Sequence, residues 1–164
     1  MSISLNIKKP TKFAACVLVV NTENNTVLAV SRKNDPTKFG IIGGKVDPGE
    51  TSVEAAAREM KEETGYEVSP KDLISVFNRY KDDDGFSTET FLLPFKLFNP
   101  IKQDTLDSHE TGVVKWVNWQ TLFDGPFGAY NKQLYLEIKD KLEELNAWRN
   151  RRKFRWRRMG QEYY

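Results

Sequence analysis

Apolar runs and alternating apolar and polar positions along the chain predict a set of β-strands. The run at 13–20, FAACVLVV, is typical of a buried strand, and TVLAVSR at 26–32 is predicted to be its partner across the turn NTENN. DLISVFNRY at 72–80 and FSTETFLLPFKLF at 86–98 are predicted to form a hairpin around KDDDG, and GVVKWVNW at 112–119 is predicted to be a further strand.

Helical periodicity predicts an amphipathic helix in the first half of the chain and a long one at its end. The first begins at Thr51, with Glu54 in the position of a capping box, and ends at Gly65. Residues 131–158 have helical composition with no internal breaker, after a short helical turn near WQTLF. Strands separated by such helices predict an α/β fold with a mixed sheet between helices on both faces.

One glycine- and proline-rich segment interrupts this pattern. DPTKFGIIGGKVDPGE, at 35–50, is predicted to be loop and short strand because two prolines and four glycines fall within it.

Composition indicates one globular domain with an uneven charge. Of the 164 residues, 39% are hydrophobic and 29% charged, which is typical of a folded domain. The net charge is +2, but residues 149–164 carry seven cations and one anion, a net +6, so residues 1–148 carry 2 − 6 = −4. We therefore predict a domain over 1–148 that includes most of the last helix, and a basic helix end or tail over 149–164.

Cysteine content and hydropathy indicate a cytoplasmic protein without a transmembrane segment. The single Cys16 excludes an internal disulfide, and its place in the apolar run favours a core thiol over a reactive one. That run is too short to span a membrane, and the first ten residues have no apolar core of a signal peptide.

Three acids within the first helix could share a cation. Glu59, Glu62 and Glu63 stand at i, i+3 and i+4, so their carboxylates fall on nearly one side of the helix. Mg²⁺ binds oxygen ligands of this kind and would offset their mutual repulsion. Spacing alone leaves open a solvated acidic face, softened by Arg58 and Lys61.

The wider spacing around these acids resembles the motif of a known family. The chain has Gly44, then five residues, Glu50, then seven residues, then REMKEETGY. This resembles the Nudix box, G-x5-E-x7-R-E-U-x-E-E-x-G-U, in which U is a bulky apolar residue. Every fixed position matches, and only Tyr66 at the last U departs from the usual aliphatic residue. The chain is thereby identified as similar to the Nudix hydrolases, whose fold is an α/β/α sandwich.

The resemblance implies a metal-dependent pyrophosphohydrolase. Glu59, Glu62 and Glu63 would be catalytic, metal-binding carboxylates, and the backbone carbonyl of Gly44 a further ligand, for Mg²⁺ or Mn²⁺. Arg58 would belong to the site as well, with Glu50 orienting it through that arginine. Family members hydrolyse a nucleoside diphosphate linked to another group, by attack of water on phosphorus.

A later loop offers a fourth carboxylate. In MutT-type members a loop glutamate stands six residues before a tryptophan, and Glu110 stands six residues before Trp116. Glu110 is therefore the candidate, with an exposed loop acid as the alternative. His109 beside it is expected to be solvated.

Residues outside the box favour a MutT-like enzyme acting on a free nucleoside triphosphate, oxidised or not, with NMP and pyrophosphate as products. Arg32 and Lys33 match the basic pair at the end of a strand in that group, and Lys45, inside the box loop, could meet a phosphate. Phe39 and Phe91 are candidates for stacking on a base, or else ordinary packing.

The basic end of the chain keeps other hypotheses open. Arginines interleaved with aromatics suit single-stranded nucleic acid, so an RNA 5′-end (cap) hydrolase is the alternative, as is a hydrolase of dinucleoside polyphosphates or nucleotide sugars. A tail that only complements the helix dipole, or that contacts an anionic membrane or protein, is open too. So are a non-catalytic domain that only binds nucleotide or protein, and a homodimer.

Overall fold

The structure is a computed structural model that describes residues 11–80, 84–101 and 112–147. Within them lie seven strands and four α-helices. The strands are β1 Lys12–Leu18, β2 Val20–Asn21, β3 Thr26–Arg32, β4 Asp35–Lys45, β5 Ile74–Arg79, β6 Phe86–Leu92 and β7 Val114–Asn118. The helices are α1 Ser52–Thr64, α2 Trp119–Phe123, α3 Gly128–Ile138 and α4 Leu142–Asn146.

The strands form a mixed sheet in the order β2-β3-β4-β1-β6-β5, with β7 paired to β3. β1 and β6 are parallel, whereas the other pairs are antiparallel. The predicted β5–β6 hairpin and the predicted strand β7 are confirmed. The predicted pairing of 13–20 with 26–32 is wrong for most of its length, because β1 pairs with β4 and β6, and only β2 reaches β3.

Helices cover both faces of the sheet, as predicted, and each face has its own apolar core. Ala55, Ala56 and Met60 of α1 are buried against one face of the sheet. Leu122, Leu134, Leu142 and others of the C-terminal helices are buried against the opposite face.

The capping of α1 also follows the prediction. Thr51 accepts a hydrogen bond from the backbone N–H of Glu54, and the Glu54 carboxylate accepts one from the N–H of Thr51. Gly65 ends the helix with φ of 79°, a left-handed conformation that glycine adopts at little cost.

Two predictions about elements are wrong. The segment 35–45, expected to be loop and short strand, is β4, which has 11 residues and is the longest of the described strands. The single helix expected from residue 131 is interrupted at 139–141, between α3 and α4, and its predicted continuation beyond 147 lies outside the described residues. No described helix is long and apolar enough to cross a membrane.

Candidate active site

The site is built where β4 changes partners. Up to Ile41 the strand pairs with β3, and from Ile42 onward it pairs with β1. Gly43 lies at this change, and a Cβ there would stand 2.6 Å from both the carbonyl oxygen of Ala15 and the Sγ of Cys16. Only glycine therefore lets the two strands approach this closely.

Gly44 lies directly against α1. A Cβ on Gly44 would collide with the carboxylate of Glu59. The missing side chain thus brings the backbone of β4 beside that carboxylate, the arrangement in which the Gly44 carbonyl and Glu59 could share a ligand.

Arg58 ties the loop after β4 to α1. Its guanidinium donates to both carboxylate oxygens of Glu50 at 2.8 and 3.0 Å, and to the carbonyl oxygen of Lys45 at 2.9 Å. It also donates to Glu59 at 3.0 Å and Glu62 at 2.9 Å. The hydrogen bond to Glu50 is the main cause that raises the pKa of Arg58, and the same bond lowers the pKa of Glu50. The expected pairing of Glu50 with Arg58 is present.

Glu63 is the most enclosed of the three acids. Its Oε1 accepts a hydrogen bond from the N–H of Gly43 at 2.8 Å. Burial nevertheless raises the pKa of the Glu63 carboxyl to about 8, and Glu59 and Glu62 add to the rise. Burial also raises the pKa of Glu59, whereas the Glu62 side chain is 53% exposed. Two carboxylates are thus held where a negative charge is poorly solvated.

The three acids do not converge on one point. Glu59 and Glu62 face Arg58, and Glu63 faces Gly43. In this arrangement no three His, Cys, Asp or Glu side chains within the described ranges are placed to share one metal ion. Their oxygens are nevertheless the donors that a hard divalent cation takes. Binding such a cation requires that Arg58 release Glu59 or Glu62.

Two cavities meet beside Gly43. A polar cleft of about 690 Å³ is lined by Arg32 and Lys33 at the end of β3 and by Glu63 of α1. A second cavity, of about 250 Å³, is mostly apolar and lies on the α3 face of the sheet; its walls include Ala14, Cys16, Ile41, Phe86, Phe127 and Tyr130. We call them the cationic cleft and the apolar cavity. Their sizes and polarities suit a phosphate chain and a base.

One polar side chain in the wall of the apolar cavity is left without a partner. Asn131 of α3 is fully buried, and neither Nδ2 nor Oδ1 makes a hydrogen bond within the part of the chain that the structure describes. An unpaired buried amide costs about 1–3 kcal/mol. Such a residue in a cavity wall points to a ligand that pairs with it.

Comparison with known proteins identifies the family of this chain. A sequence model of the NUDIX domain matches residues 10–138. The chain belongs to the Nudix family. The predicted family, fold class and enzyme class, a Nudix hydrolase, are therefore confirmed. Nudix hydrolases generally use divalent metal ions.

Its relatives carry different substrate names. The chain is 41% identical over 106 residues to "Putative 8-oxo-dGTP diphosphatase" of Bacillus subtilis (strain 168), a match that covers 63% of this chain and 64% of that protein. It is 35% identical over 145 residues to "NAD-capped RNA hydrolase NudC" of Vibrio atlanticus (strain LGP32), covering 84% of this chain and 49% of that one. The chain thus spans less than two thirds of each relative's length.

A solved structure has the same fold at lower identity. The MutT NUDIX hydrolase from Burkholderia pseudomallei superposes with a TM-score of 0.60 and 17% identity, covering 79% of this chain and 99% of that one. The arrangement of sheet and helices is therefore that of a Nudix domain.

The other predicted site residues are placed as follows. Phe39 and Phe91 are both 6% exposed in the two cores, so they pack rather than face a cavity, and Lys115 lies over the Phe39 ring at 5.9 Å. Lys45 lines the apolar cavity rather than the cationic cleft. Glu110 and His109 lie outside the described residues.

Sequence reasoning missed Asn131 and Phe127, both of which line the apolar cavity of this Nudix domain. A signal for Asn131 was present. It shares a helix face with Leu134 and Ile138, at spacings of three and seven, and all three are buried. A polar residue on an apolar stripe indicates a site for a partner.

Cys16 provides a test of the character of the apolar cavity. Burial raises the pKa of its thiol from 9.0 to about 12. Because the thiolate is the reactive form, alkylation by iodoacetamide at pH 8 is expected to be about 10³-fold slower than at an ordinary thiol. Mass spectrometry of the native and the urea-unfolded chain measures both rates at one cysteine. Equal rates would mean that the thiol is not held in apolar surroundings.

Proposed function

We propose that this chain hydrolyses a free nucleoside triphosphate to the monophosphate and pyrophosphate, with a preference for an oxidised purine. The observation that carries the proposal is the apolar cavity, with its unpaired Asn131 amide, opening beside the cationic cleft that reaches Glu63. The likeness to a relative named for 8-oxo-dGTP supports it.

The phosphate end of the substrate would lie in the cationic cleft. Arg32 and Lys33 supply positive charge there, in a cleft that Glu63 of α1 also lines. Glu59, Glu62, Glu63 and the Gly44 carbonyl would hold Mg²⁺ or Mn²⁺, which neutralises the diphosphate and lowers the pKa of an attacking water. Arg58 and Glu50 would keep the loop before α1 in place as those acids turn to their ligand.

The chemical step is a substitution at phosphorus, in which water displaces pyrophosphate. The water oxygen forms a bond to phosphorus, the bridging P–O bond breaks, and pyrophosphate leaves with the electron pair. A carboxylate takes the proton that the water loses. Glu59 and Glu63 are the candidates in the box, and Glu110 is the candidate from the later loop.

The base end would be selected by Asn131. A carboxamide presents one donor beside one acceptor. Guanine presents two acceptors, N7 and O6, on the matching edge. In 8-oxoguanine N7 carries a proton, so a donor stands beside the O6 acceptor and both amide atoms are paired. Adenine, with its N6 amino group beside N7, offers the same complementarity.

An Asn131→Leu variant tests this assignment with two readouts that move in opposite directions. Because leucine removes an unpaired buried amide, the melting temperature is expected to stay the same or rise. kcat/KM for 8-oxo-dGTP should fall by about 10–100-fold, which is the discrimination that a pair of hydrogen bonds to one base provides. kcat/KM for dGTP should fall less. A variant that is less stable and loses both activities equally would indicate a structural asparagine.

A second function has one observation in its favour. The relative named NAD-capped RNA hydrolase NudC matches over more of this chain than the 8-oxo-dGTP relative does. A panel of 8-oxo-dGTP, dGTP, dATP, dinucleoside polyphosphates and capped RNA, with Mg²⁺ or Mn²⁺ and products identified by mass, decides between them. Turnover of capped RNA alone would overturn the free-nucleotide proposal.

A further inference from the structure

The apolar cavity and the cationic cleft share a wall. Three residues line both: Ile41 and Gly43 of β4, and Phe127, the residue before α3. A ligand with its base in the one and its phosphates in the other must cross this wall. In a nucleotide the part between base and phosphates is the pentose.

Phe127 is an exposed apolar side chain on a fixed turn. It is 60% exposed, yet its backbone is held by its carbonyl oxygen, which accepts from the N–H of Asn131 at 2.9 Å. Gly125 and Gly128 on either side leave no room for a Cβ, which would meet backbone oxygens of Phe39 and Phe123. The ring is therefore presented to solvent by a tightly packed segment, so a ligand can cover it without reordering the turn.

The side chains of the shared wall offer nothing to a hydroxyl group. Its side chains are those of Ile41 and Phe127, which have no polar atoms, and Gly43, which has no side chain. The β4 backbone at this point is paired with β3 up to Ile41 and with β1 from Ile42, and the N–H of Gly43 is engaged by Glu63. A hydroxyl placed against these side chains loses water and gains no side-chain partner there.

We infer that Phe127 and Ile41 form the surface on which the pentose of the substrate lies, and that this surface selects 2′-deoxyribose over ribose. The inference rests on the proposed nucleotide substrate. C2′ is bonded to C1′, which carries the base, so a base in the apolar cavity brings the 2′ position to the wall. The 3′-hydroxyl is common to both sugars, and only the 2′-hydroxyl distinguishes them.

The test compares 8-oxo-dGTP with 8-oxo-GTP, which differ in that hydroxyl alone. The wild-type chain is expected to favour the deoxy form in kcat/KM by about 10-fold or more, the scale on which an apolar site rejects an added hydroxyl. Phe127→Ala should bring the ratio close to one and raise KM for the deoxy form with kcat little changed. Phe127→Leu, which keeps an apolar side chain, should retain part of the preference.

Leu136→Ala is the matched control, since Leu136 is 55% exposed on α3 and lines neither cavity. Its kinetics should equal those of the wild type. Equal turnover of both sugars by the wild type, or an unchanged ratio in Phe127→Ala, overturns the sugar inference alone. Turnover of neither nucleotide overturns the proposed function and the inference with it.

Discussion

Replacing Glu63 by glutamine is expected to lower kcat by about 100-fold or more at saturating Mg²⁺. The amide oxygen of glutamine can still accept the N–H of Gly43, so the link between α1 and β4 is kept. What is lost is the negative charge, which a cation ligand or a proton acceptor needs. Steady-state kinetics, with circular dichroism as a check of the fold, measures the effect.

Glu67→Gln is the control for this variant, because Glu67 is an exposed acid past the end of α1 and forms an ion pair with the exposed Lys61. It should retain wild-type rates. A near-wild-type kcat in Glu63→Gln would mean that the charge of Glu63 has no role in the reaction.

The same variant has a pH-dependent effect on stability without metal. The folded Glu63 carboxyl keeps its proton up to about pH 8, whereas its ordinary pKa is 4.5. Between these values the folded state binds more protons than the unfolded state, so the free energy of unfolding falls as pH rises. Glutamine does not titrate, so Glu63→Gln should match the wild type near pH 4.5 and exceed its melting temperature near pH 9. A lower melting temperature of the variant at pH 9 would contradict this.

Adding one methyl group is expected to lower stability at Gly43 but activity at Gly44. In Gly43→Ala the new Cβ meets the backbone of β1, which cannot move without loss of strand pairing. Overpacking of this kind costs about 1–3 kcal/mol, so the melting temperature should fall by several degrees.

In Gly44→Ala the three atoms nearest the new Cβ all belong to the carboxylate of Glu59, a flexible group that can turn away. The melting temperature should therefore stay near that of the wild type, while kcat falls by on the order of 10-fold or more because a candidate ligand is displaced. Thermal unfolding and kinetics on both variants test the pair. Equal loss of stability in the two would mean that Gly44 is purely structural.

The parts of the fold that depend on residues close together in the sequence were predictable. The capping box of Thr51 and Glu54, the left-handed Gly65 and the β5–β6 hairpin all follow from short-range chemistry. β4 was not predictable in this way, because the glycines that weaken a strand are here required by close approach of β1 and α1.

The break between α3 and α4 has a similar cause. No glycine or proline stands at 139–141, yet Leu142 and Leu145 are buried in the core of that face. Tertiary packing, which local periodicity does not report, redirects the chain. For the site, the motif predicted which acids gather on α1, but not that Arg58 holds two of them, since that depends on contacts across the loop.

Because β4 changes partners along its length, the number of residues in this strand must be kept. Ile41 faces the cavities and Ile42 faces the core under α1, because neighbouring strand residues point to opposite faces. Insertion or deletion of one residue between Gly40 and Gly44 would exchange these faces. It would carry the wall shared by the two cavities into the core and displace Gly44 from Glu59. We expect homologous chains to vary in the turns that flank β4 and to keep its residue count.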